Sequence, residues 1–542
     1  MGTVRMPTPV RMSLMGLAGC LLAGCPSSSD GSLVLTLSLP SQPDLRPTGM
    51  TTVTITATVP GESPIGTTSV LSTGSVSAGD LPVGDEIQIG VVLRDVSNRI
   101  VGVGEAGQSV NLVGDQATKL SIPVRRPFVY AASGTALYSF DPTLDPRDPK
   151  FQTMLAGVTG PQFTVSVGGD RLAVISGNQV QIVVTATNTV TGMIQVPSGV
   201  TDAAAVPGSH KLAVAHGAGI AIVDLDTSSV ANAMVGPVDR VTVGPGSDGA
   251  MVAYGLVGRV LPPEKPMMLA TCTGTSKIVA VAVDAPATAM PASVTAAISD
   301  LAAAPDLPML FATLPCTGKV AKVGGVIEGG GLTLTDVVDL ERAAVLTVAG
   351  DRVWAAGTKM AAPACTSGCT ATTPVACPQP AGNHLAFVTE GAHIIVKSIP
   401  LDGGMPITLD APGRRETMVD KNDTARQHAQ LLKALGVVPS DLVTLPGGQY
   451  VGLITKSRYY IEELTDGFGQ RILPCLDATT ADWLLIDMAS SSISQRVRTS
   501  CAVIVGTGAF FDKWECDDPP AGERNAFTQY QPTSIGALFG SR

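Results

Sequence analysis

The stretch Lys211-Leu212-Ala213-Val214-Ala215-His216-Gly217-Ala218-Gly219-Ile220-Ala221-Ile222-Val223-Asp224-Leu225-Asp226 decides how the rest of the chain reads. Two apolar runs, Leu212 to Ala215 and Ile220 to Leu225, flank a glycine-bearing turn, and Asp226-Thr227-Ser228 breaks the pattern, which is the signature of a β-hairpin. Versions of it return from residue 128 to about residue 465. Aligned on the first apolar residue, the anchors are Phe128, Leu172, Leu212, Met251, Leu310, Val353, Leu385 and Val451, spaced by 44, 40, 39, 59, 43, 32 and 66 residues. A short apolar run and a turn precede several anchors, as in Ala204-Ala205-Val206-Pro207-Gly208 and Leu301-Ala302-Ala303-Ala304-Pro305.

Such a period matches a four-stranded unit whose two apolar faces only its neighbours can cover. The sequence therefore predicts a β-propeller of seven or eight blades over 126–511, with the anchor runs as inner strands. The shorter coils of a β-solenoid do not fit the spacing. The first unit lacks a lead-in strand, so it is expected to share its blade with the C-terminus.

At 542 residues the chain is too long for one ordinary core, and at least two domains are expected. Apolar residues make up 45% and charged residues 15%. No run of about 18 uncharged apolar residues follows residue 25, so the apolar content belongs to strands and not to a membrane span. The formal charge of −10 becomes −12 without residues 1–24, which carry Arg5 and Arg11 and no acids. That surface repels phosphate backbones and no basic, aromatic-laced patch occurs, so no nucleic-acid partner is expected.

Residues 1–24 have the layout of an export signal: Arg5 and Arg11, then the apolar run Met12 to Ala23. The ending Leu22-Ala23-Gly24-Cys25 resembles that of a bacterial lipoprotein signal. The resemblance implies lipid on Cys25, palmitate included, cleavage before it, and a place in the bacterial cell envelope, on the periplasmic side of the outer membrane or the cell surface. Leu17-Ala18-Gly19-Cys20 matches too but leaves a shorter apolar run, and an ordinary secretory peptide is the alternative. Acyl chains at about 0.8 kcal/mol per buried methylene would hold the protein on a bilayer. Residues 25–32, rich in serine, read as a tether.

From Leu33 the period is two: Leu33, Leu35, Leu37 and Leu39, then Val53, Ile55, Ala57 and Val59, then Ile87, Ile89, Val91 and Leu93. About seven short strands over 33–125 fit a β-sandwich, immunoglobulin-like or transthyretin-like, serving to space the propeller from the membrane. Gly102-Val103-Gly104-Glu105-Ala106-Gly107 is a formal G-x-G-x-x-G, but Gln108 to Val113 reads as a strand where a dinucleotide site needs a helix N-terminus. It is assigned to a hairpin turn.

Eight cysteines remain for disulfides: Cys272, Cys316, Cys365, Cys369, Cys377, Cys475, Cys501 and Cys516. Cys272 and Cys316 each precede Thr-Gly in matching units and are expected to pair. The other six fall three and three, so full oxidation requires a bridge between the two clusters. Zinc at Cys365, Cys369 and Cys377 lacks a fourth ligand nearby. A helical insertion is expected within 403–447, where Ala425, Leu431, Leu432 and Leu435 favour one face of a helix over 423–435. A loosely ordered C-terminal tail is expected over 512–542.

Chemistry in a propeller sits at its channel. Asp170, Asp248, Asp306 and Asp351 recur just before anchors, where a ring could hold a cation, and turn preference explains Asp there equally well. Asp141 to Asp148 reads as a Pro-stiffened surface turn. Among the five histidines, His210 and His384 lie next to anchor runs and His216, His393 and His428 elsewhere; solvated turns account for the first two. Repeat size is similar to that of quinone-dependent dehydrogenase propellers, whose Trp-rich docking motifs are missing, and no G-x-S-x-G, H-E-x-x-H or Walker pattern occurs. The repeats over 128–511 resemble divergent surface-layer and WD-repeat propellers, which implies architecture only. The reading is an all-β, lipid-anchored envelope protein with a non-enzymatic interaction scaffold, no catalytic residue, cofactor or metal, and a protein or glycan partner. A hydrolase or lyase using channel carboxylates or calcium, and a structural envelope-assembly component, are the alternatives.

Overall fold

A computed structural model describes residues 31–542 apart from 60–64, 72–74, 107–108, 115, 133–135, 145–147, 262–273, 287–288, 294–295, 326–331, 360–392, 413–415, 421–428, 445–449, 462–463, 466–470, 474–475, 489, 499–513, 517–522, 526–533 and 538–542. The signal, Cys25, the start of the tether and most cysteines therefore lie outside the described residues.

Eight strands precede the repeats: Gly31–Ser38, Thr52–Thr58, Ile65–Val70, Ser75–Leu81, Gly84–Arg94, Ile100–Glu105, Val110–Leu112 and Ala117–Arg125. They form one hydrogen-bonded sheet, joined where Ala117–Arg125 pairs in parallel with Gly31–Ser38 and, at its far end, with Ile100–Glu105. The alternation seen in the sequence is the alternation of burial. Leu33, Leu35, Val53, Ile55, Ile87, Ile89, Val91 and Leu93 share a single core with Val76, Leu112 and Ile122. Gly102 and Gly104 lie within the strand Ile100–Glu105, not in a turn. A Cβ at Gly104 would stand 2.6 Å from Val124 Cγ1 and 2.7 Å from Pro123 O, so glycine lets this strand approach its neighbour closely.

Eight sheets follow among the described residues: seven make a seven-bladed β-propeller, and the eighth is the small pair Leu464–Thr465 and Arg471–Leu473. Blades 2 and 3 are the regular ones: Phe163–Val167, Arg171–Ser176, Gln179–Val184, Thr189–Gln195, then Val200–Ala205, Lys211–His216, Gly219–Asp224, Ser229–Met234. Blade 4 begins at Arg240–Pro245, blade 5 at Asp300–Ala303 and blade 6 at Val345–Ala349, each again four strands. Blade 7 is built on Ala429–Thr444, Tyr450–Ile461, Leu476–Asp487 and Ser492–Arg498. Blade 1 combines Val129–Ala132, Leu137–Phe140 and Gln152–Met154 with a strand from the far end of the chain, Ser534–Ala537, which pairs antiparallel with Val129–Ala132. That strand also neighbours the inner strands of blades 2 and 7, closing the ring. Sharing of blade 1 with the C-terminus is thus observed, and residues 512–542 are not merely a tail.

Two corrections follow from blade anatomy. The anchor runs at Leu172, Leu212, Met251, Leu310, Val353 and Val451 are second strands, and the lead-in runs before them are the inner ones. Second strands are buried on both faces between two neighbours, so they carry the longest apolar runs and dominate a hydropathy pattern. Leu385 falls between the second and third strands of blade 6, outside the described residues, which brings the blades to seven. No helix forms over 429–435 either. That segment is the start of the sixteen-residue strand Ala429–Thr444, with Lys433 opposite Tyr460 and Ala434 opposite Tyr459. Leu431, Leu432 and Leu435 suit a short apolar strand as well as a helical face, and a neighbouring strand decides between them. The only helical element among the described residues is the 3-10 turn Pro43–Leu45.

Apolar layers between adjacent blades form the core. Leu212, Val214, Ala221 and Val223 of blade 3 meet Ala173, Ile175, Val180 and Ile182 of blade 2. At the closure, Trp483 of blade 7 stacks on Phe140 of blade 1 with centroids 5.1 Å apart and planes 15° apart. The N-terminal domain docks through a shared core of Leu45, Val92, Ile100 and Val103 against Phe128, Tyr130, Leu137 and Leu172. Burial of each such side chain stabilises the junction by about 1.5–3 kcal/mol.

Candidate functional site

Two faces of the ring differ. On one, the entry face, the chain enters each inner strand and joins second strands to third. On the other, first strands join second and third join fourth, and here the N-terminal domain docks. Lys150 Nζ in blade 1 meets Asp44 Oδ1 at 2.8 Å, and Tyr130 bridges Arg125 to Asn188 of blade 2. Gly208 of blade 3 has φ +68°, and a Cβ there would stand 2.5 Å from Gln88 Nε2. Arg126, in the linker, pairs its Nε with Asp141 Oδ2 at 3.0 Å; burial pushes the Asp141 carboxyl up despite that cation and despite Thr143. The acidic 141–148 loop thus begins with a buried carboxylate that braces the domain junction.

The channel is a cavity of about 300 Å³ lined by the inner strands of blades 2 to 7. An inner strand pairs with its own blade on one side only, so its channel-facing backbone needs other partners. The neighbouring blade supplies them. Asp202 Oδ2 of blade 3 accepts from Val241 N–H of blade 4 at 3.0 Å, and Asp300 Oδ2 of blade 5 accepts from Leu346 N–H of blade 6 at 3.0 Å. Thr242 Oγ1 of blade 4 accepts from Ala303 N–H of blade 5 at 3.0 Å. In the other direction, Thr201 Oγ1 donates to Val238 O at 2.5 Å and Ser299 Oγ to Ala343 O at 2.9 Å.

Arg240 of blade 4 stands between these carboxylates. Its Nη1 is 3.3 Å from Asp202 Oδ1 and its Nε 3.5 Å from Asp300 Oδ1, with side-chain exposures of 14%, 14% and 11% for the three residues. The Nε contact is ionic and not a hydrogen bond. Burial disfavours the Arg240 charge, but Asp202, Asp300 and Asp441 outweigh it and hold the guanidinium above its ordinary pKa. Burial raises the Asp300 pKa, and Arg240, Arg259 and the Leu346 N–H oppose it without cancelling it. Arg259, whose Nε donates to Ser299 O at 2.6 Å, is pushed down by burial and by the like charge of Arg240.

A second ionic cluster joins blades 2 and 3 on the docked face. His210 Nε2 lies 3.0 Å from Asp170 Oδ1, and His210 Nδ1 lies 3.1 and 3.0 Å from the two oxygens of Asp226. Arg171 Nη2 reaches Asp226 Oδ1 at 2.7 Å. Asp170 raises the imidazole pKa most, burial opposes it, and Asp226 adds to the rise. Gly168 at φ +57° makes room, because a Cβ there would meet the His210 ring at 2.4 Å.

The expected aspartate ring is not at the channel. Asp170, Asp248, Asp306 and Asp351 sit in connections between first and second strands, on the docked face. Asp248 Oδ1 accepts from Ala250 N–H at 3.1 Å, a local turn bond of the kind that also explains its place in the sequence. Among the described residues no three His, Cys, Asp or Glu groups gather to hold a metal. His210 is in a turn but is not the solvated residue expected: its side chain is 9% exposed and lies between two carboxylates. His216 is buried at a strand end, where burial lowers its pKa. His384 and His428 lie outside the described residues, as do Cys272, Cys365, Cys369, Cys377, Cys475 and Cys501. Cys316 is in a disulfide, and Cys516 ends the strand Trp514–Cys516.

Sequence reading passed over Asp202, Arg240, Asp300 and Asp441. A signal for three of them exists: Thr201-Asp202-Ala203, Ser299-Asp300-Leu301 and Ser440-Asp441-Leu442 place a hydroxyl and a carboxylate side by side in alternate inner strands, at the start of those of blades 3 and 5 and late in the long one of blade 7.

Neither known protein families nor curated proteins contain a match to this sequence. Among solved structures, hydrazine synthase from Kuenenia stuttgartiensis aligns with a TM-score of 0.34 and 14% identity over 62% of this chain and 95% of that one. The β-propeller domain of Cps50 (Swd1) from Myceliophteria thermophila aligns at 0.33 and 10%, over 61% and 95%. Likeness at that level carries no functional argument, and the propeller assignment rests on the strand pairing itself.

Proposed function

We propose that the protein is a lipid-anchored component of the bacterial cell envelope, held through Cys25, whose propeller is a rigid, non-enzymatic platform for a protein or glycan partner. In this reading the N-terminal domain is an immunoglobulin-like or transthyretin-like sandwich that spaces the propeller from the membrane. Disulfides, the Cys272 to Cys316 pair among them, stiffen the assembly.

One observation carries the platform reading: channel carboxylates are tied to backbone. Asp202 and Asp300 each accept an N–H from the next blade while flanking Arg240, so the groups a hydrolase would need free are working as braces. A carboxylate so anchored gains rigidity and loses the freedom to move a proton.

Two experiments test the proposal. Labelled palmitate fed to producing cells should enter the wild-type protein and be absent from Cys25→Ala; label that persists there moves the anchor to Cys20, and no label in either overturns it. Photo-crosslinking from the channel mouth in intact envelopes should recover a discrete partner. Turnover of a peptide or glycan library that is abolished by Asp300→Asn, with folding retained, would replace the platform by an enzyme.

A further inference from the structure

The channel mouth holds two arginines beside its carboxylates, and the two signs are used to different extents. Asp202 has both oxygens engaged, by Arg240 Nη1 and by the Val241 N–H. So has Asp300, where Leu301 N–H donates to Oδ1 at 3.1 Å and Leu346 N–H to Oδ2 at 3.0 Å. A guanidinium, by contrast, carries five N–H donors. Arg240 and Arg259 each give one of theirs to a protein acceptor among the described residues, Asp202 Oδ1 and Ser299 O. Arg240 Nε is shut off from solvent without a hydrogen-bond partner, and both arginines line the cavity. What the mouth has to offer is therefore mainly guanidinium N–H, suited to the planar, bidentate grip of a carboxylate.

Charge narrows the choice of ligand. The two guanidiniums stand among three carboxylates, Asp202, Asp300 and Asp441, each of which acts on both arginines. The set carries one negative charge in excess, so a simple anion would deepen the imbalance in a site largely out of solvent. A simple cation would balance the sum, but it would meet Arg240 and Arg259 and leave their N–H groups without acceptors. A ligand that carries a carboxylate and a cation side by side avoids both costs. The protein's own charges alternate at such spacing, with Asp202 to Arg240 at 3.3 Å and Arg240 to Asp300 at 3.5 Å. Size agrees: about 300 Å³ lies at the lower end of small-molecule sites. Further along the inner strands Ser166, Thr242 and Thr347 line the cavity together with alanines, a polar and uncrowded floor. Backbone bonds across blade boundaries hold the carboxylates in place before any ligand arrives, which lowers the cost of binding.

We propose that the channel mouth binds a free α-amino acid as its zwitterion, the carboxylate gripped by Arg240 and Arg259 and the ammonium held by Asp441. Asp441 takes the cation because both oxygens of Asp202 and of Asp300 are already engaged, whereas Asp441 acts on the two arginines from blade 7. The site goes beyond the platform reading and depends on neither the lipid anchor nor an envelope partner.

The test is equilibrium dialysis of the full-length protein against an equimolar mixture of the common L-amino acids, read by mass spectrometry. At least one should be concentrated on the protein side and recovered unchanged. In calorimetric titrations of the wild type, its N-acetyl derivative and its amide, each lacking one of the two charges, should bind at least tenfold more weakly. Arg259→Gln and Asp441→Asn should weaken the parent amino acid at least tenfold while keeping thermal midpoints near that of the wild type. Retention of none, or a blocked derivative that binds as tightly as its parent, overturns the proposal. So does undiminished affinity in a folded Arg259→Gln; should that variant not fold, the two derivatives on the wild-type protein decide. An amino acid that is bound and then consumed keeps the site and overturns the non-enzymatic platform instead.

Discussion

Two charged clusters join neighbouring blades, and they do so by different physics. At the channel, Arg240 lies between Asp202 and Asp300 with all three side chains largely out of solvent, and both carboxylates also hold backbone N–H groups. On the docked face, His210 lies between Asp170 and Asp226, which remain 38% and 47% exposed. A guanidinium is charged at every accessible pH, whereas an imidazole flanked by carboxylates on both ring nitrogens holds both only while protonated. The cation of the first joint is therefore permanent, and that of the second depends on pH.

The largest expected effect comes from removing the permanent cation. Arg240→Met leaves Asp202 and Asp300 buried beside one another and should destabilise by about 3–5 kcal/mol, read as a shift in denaturant midpoint. Loss below 1 kcal/mol would erase the contrast between the clusters. Asp300→Ala orphans the Leu346 N–H and should cost about 1–3 kcal/mol in the same measurement.

The third effect is smaller and changes with pH. His210 has its folded pKa raised above the usual imidazole value, so its contribution is complete below the unfolded pKa of about 6.5 and is lost as pH rises through the folded value. Asp226 is shifted the other way: His210 and Arg171 hold it below the usual carboxylate range although burial pushes it up. Its contribution is lost as pH falls through that lowered value. Wild type should thus exceed His210→Gln in stability by up to about 1 kcal/mol near pH 6, with the gap closing towards pH 9. A gap that is flat with pH would make the second joint as permanent as the first. The smallest effect is expected at Lys211, whose Nζ meets the exposed Asp284 at 2.7 Å; Lys211→Met should change stability by less than about 0.5 kcal/mol and lose that effect in high salt.

The regular blades were legible because second strands such as Leu172 to Ile175 and Leu212 to Ala215 are hidden on both sides and must be continuously apolar. Blade 7 was not, since residues 429–435 carry no pattern that separates strand from helix until Tyr450–Ile461 lies alongside. The channel cluster escaped for a related reason: Asp202 and Asp300 do their work across a blade boundary, for backbone groups of Val241 and Leu346 far along the chain. Attention fell on aspartates before the most hydrophobic runs, and those mark turns. His210 could be placed in a turn, but Asp170 and Asp226 reach it from separate connections, and only the packing of blade 2 on blade 3 brings the three together.

Ring closure sets an order of events. Val129 pairs with Ala537, so the earliest propeller strand stays an open edge until about 400 further residues have been made. A nascent or prematurely terminated molecule offers that edge to proteases and to other unfinished copies, and the slowest step of maturation should be the arrival of four late residues at a gap between the first and last blades.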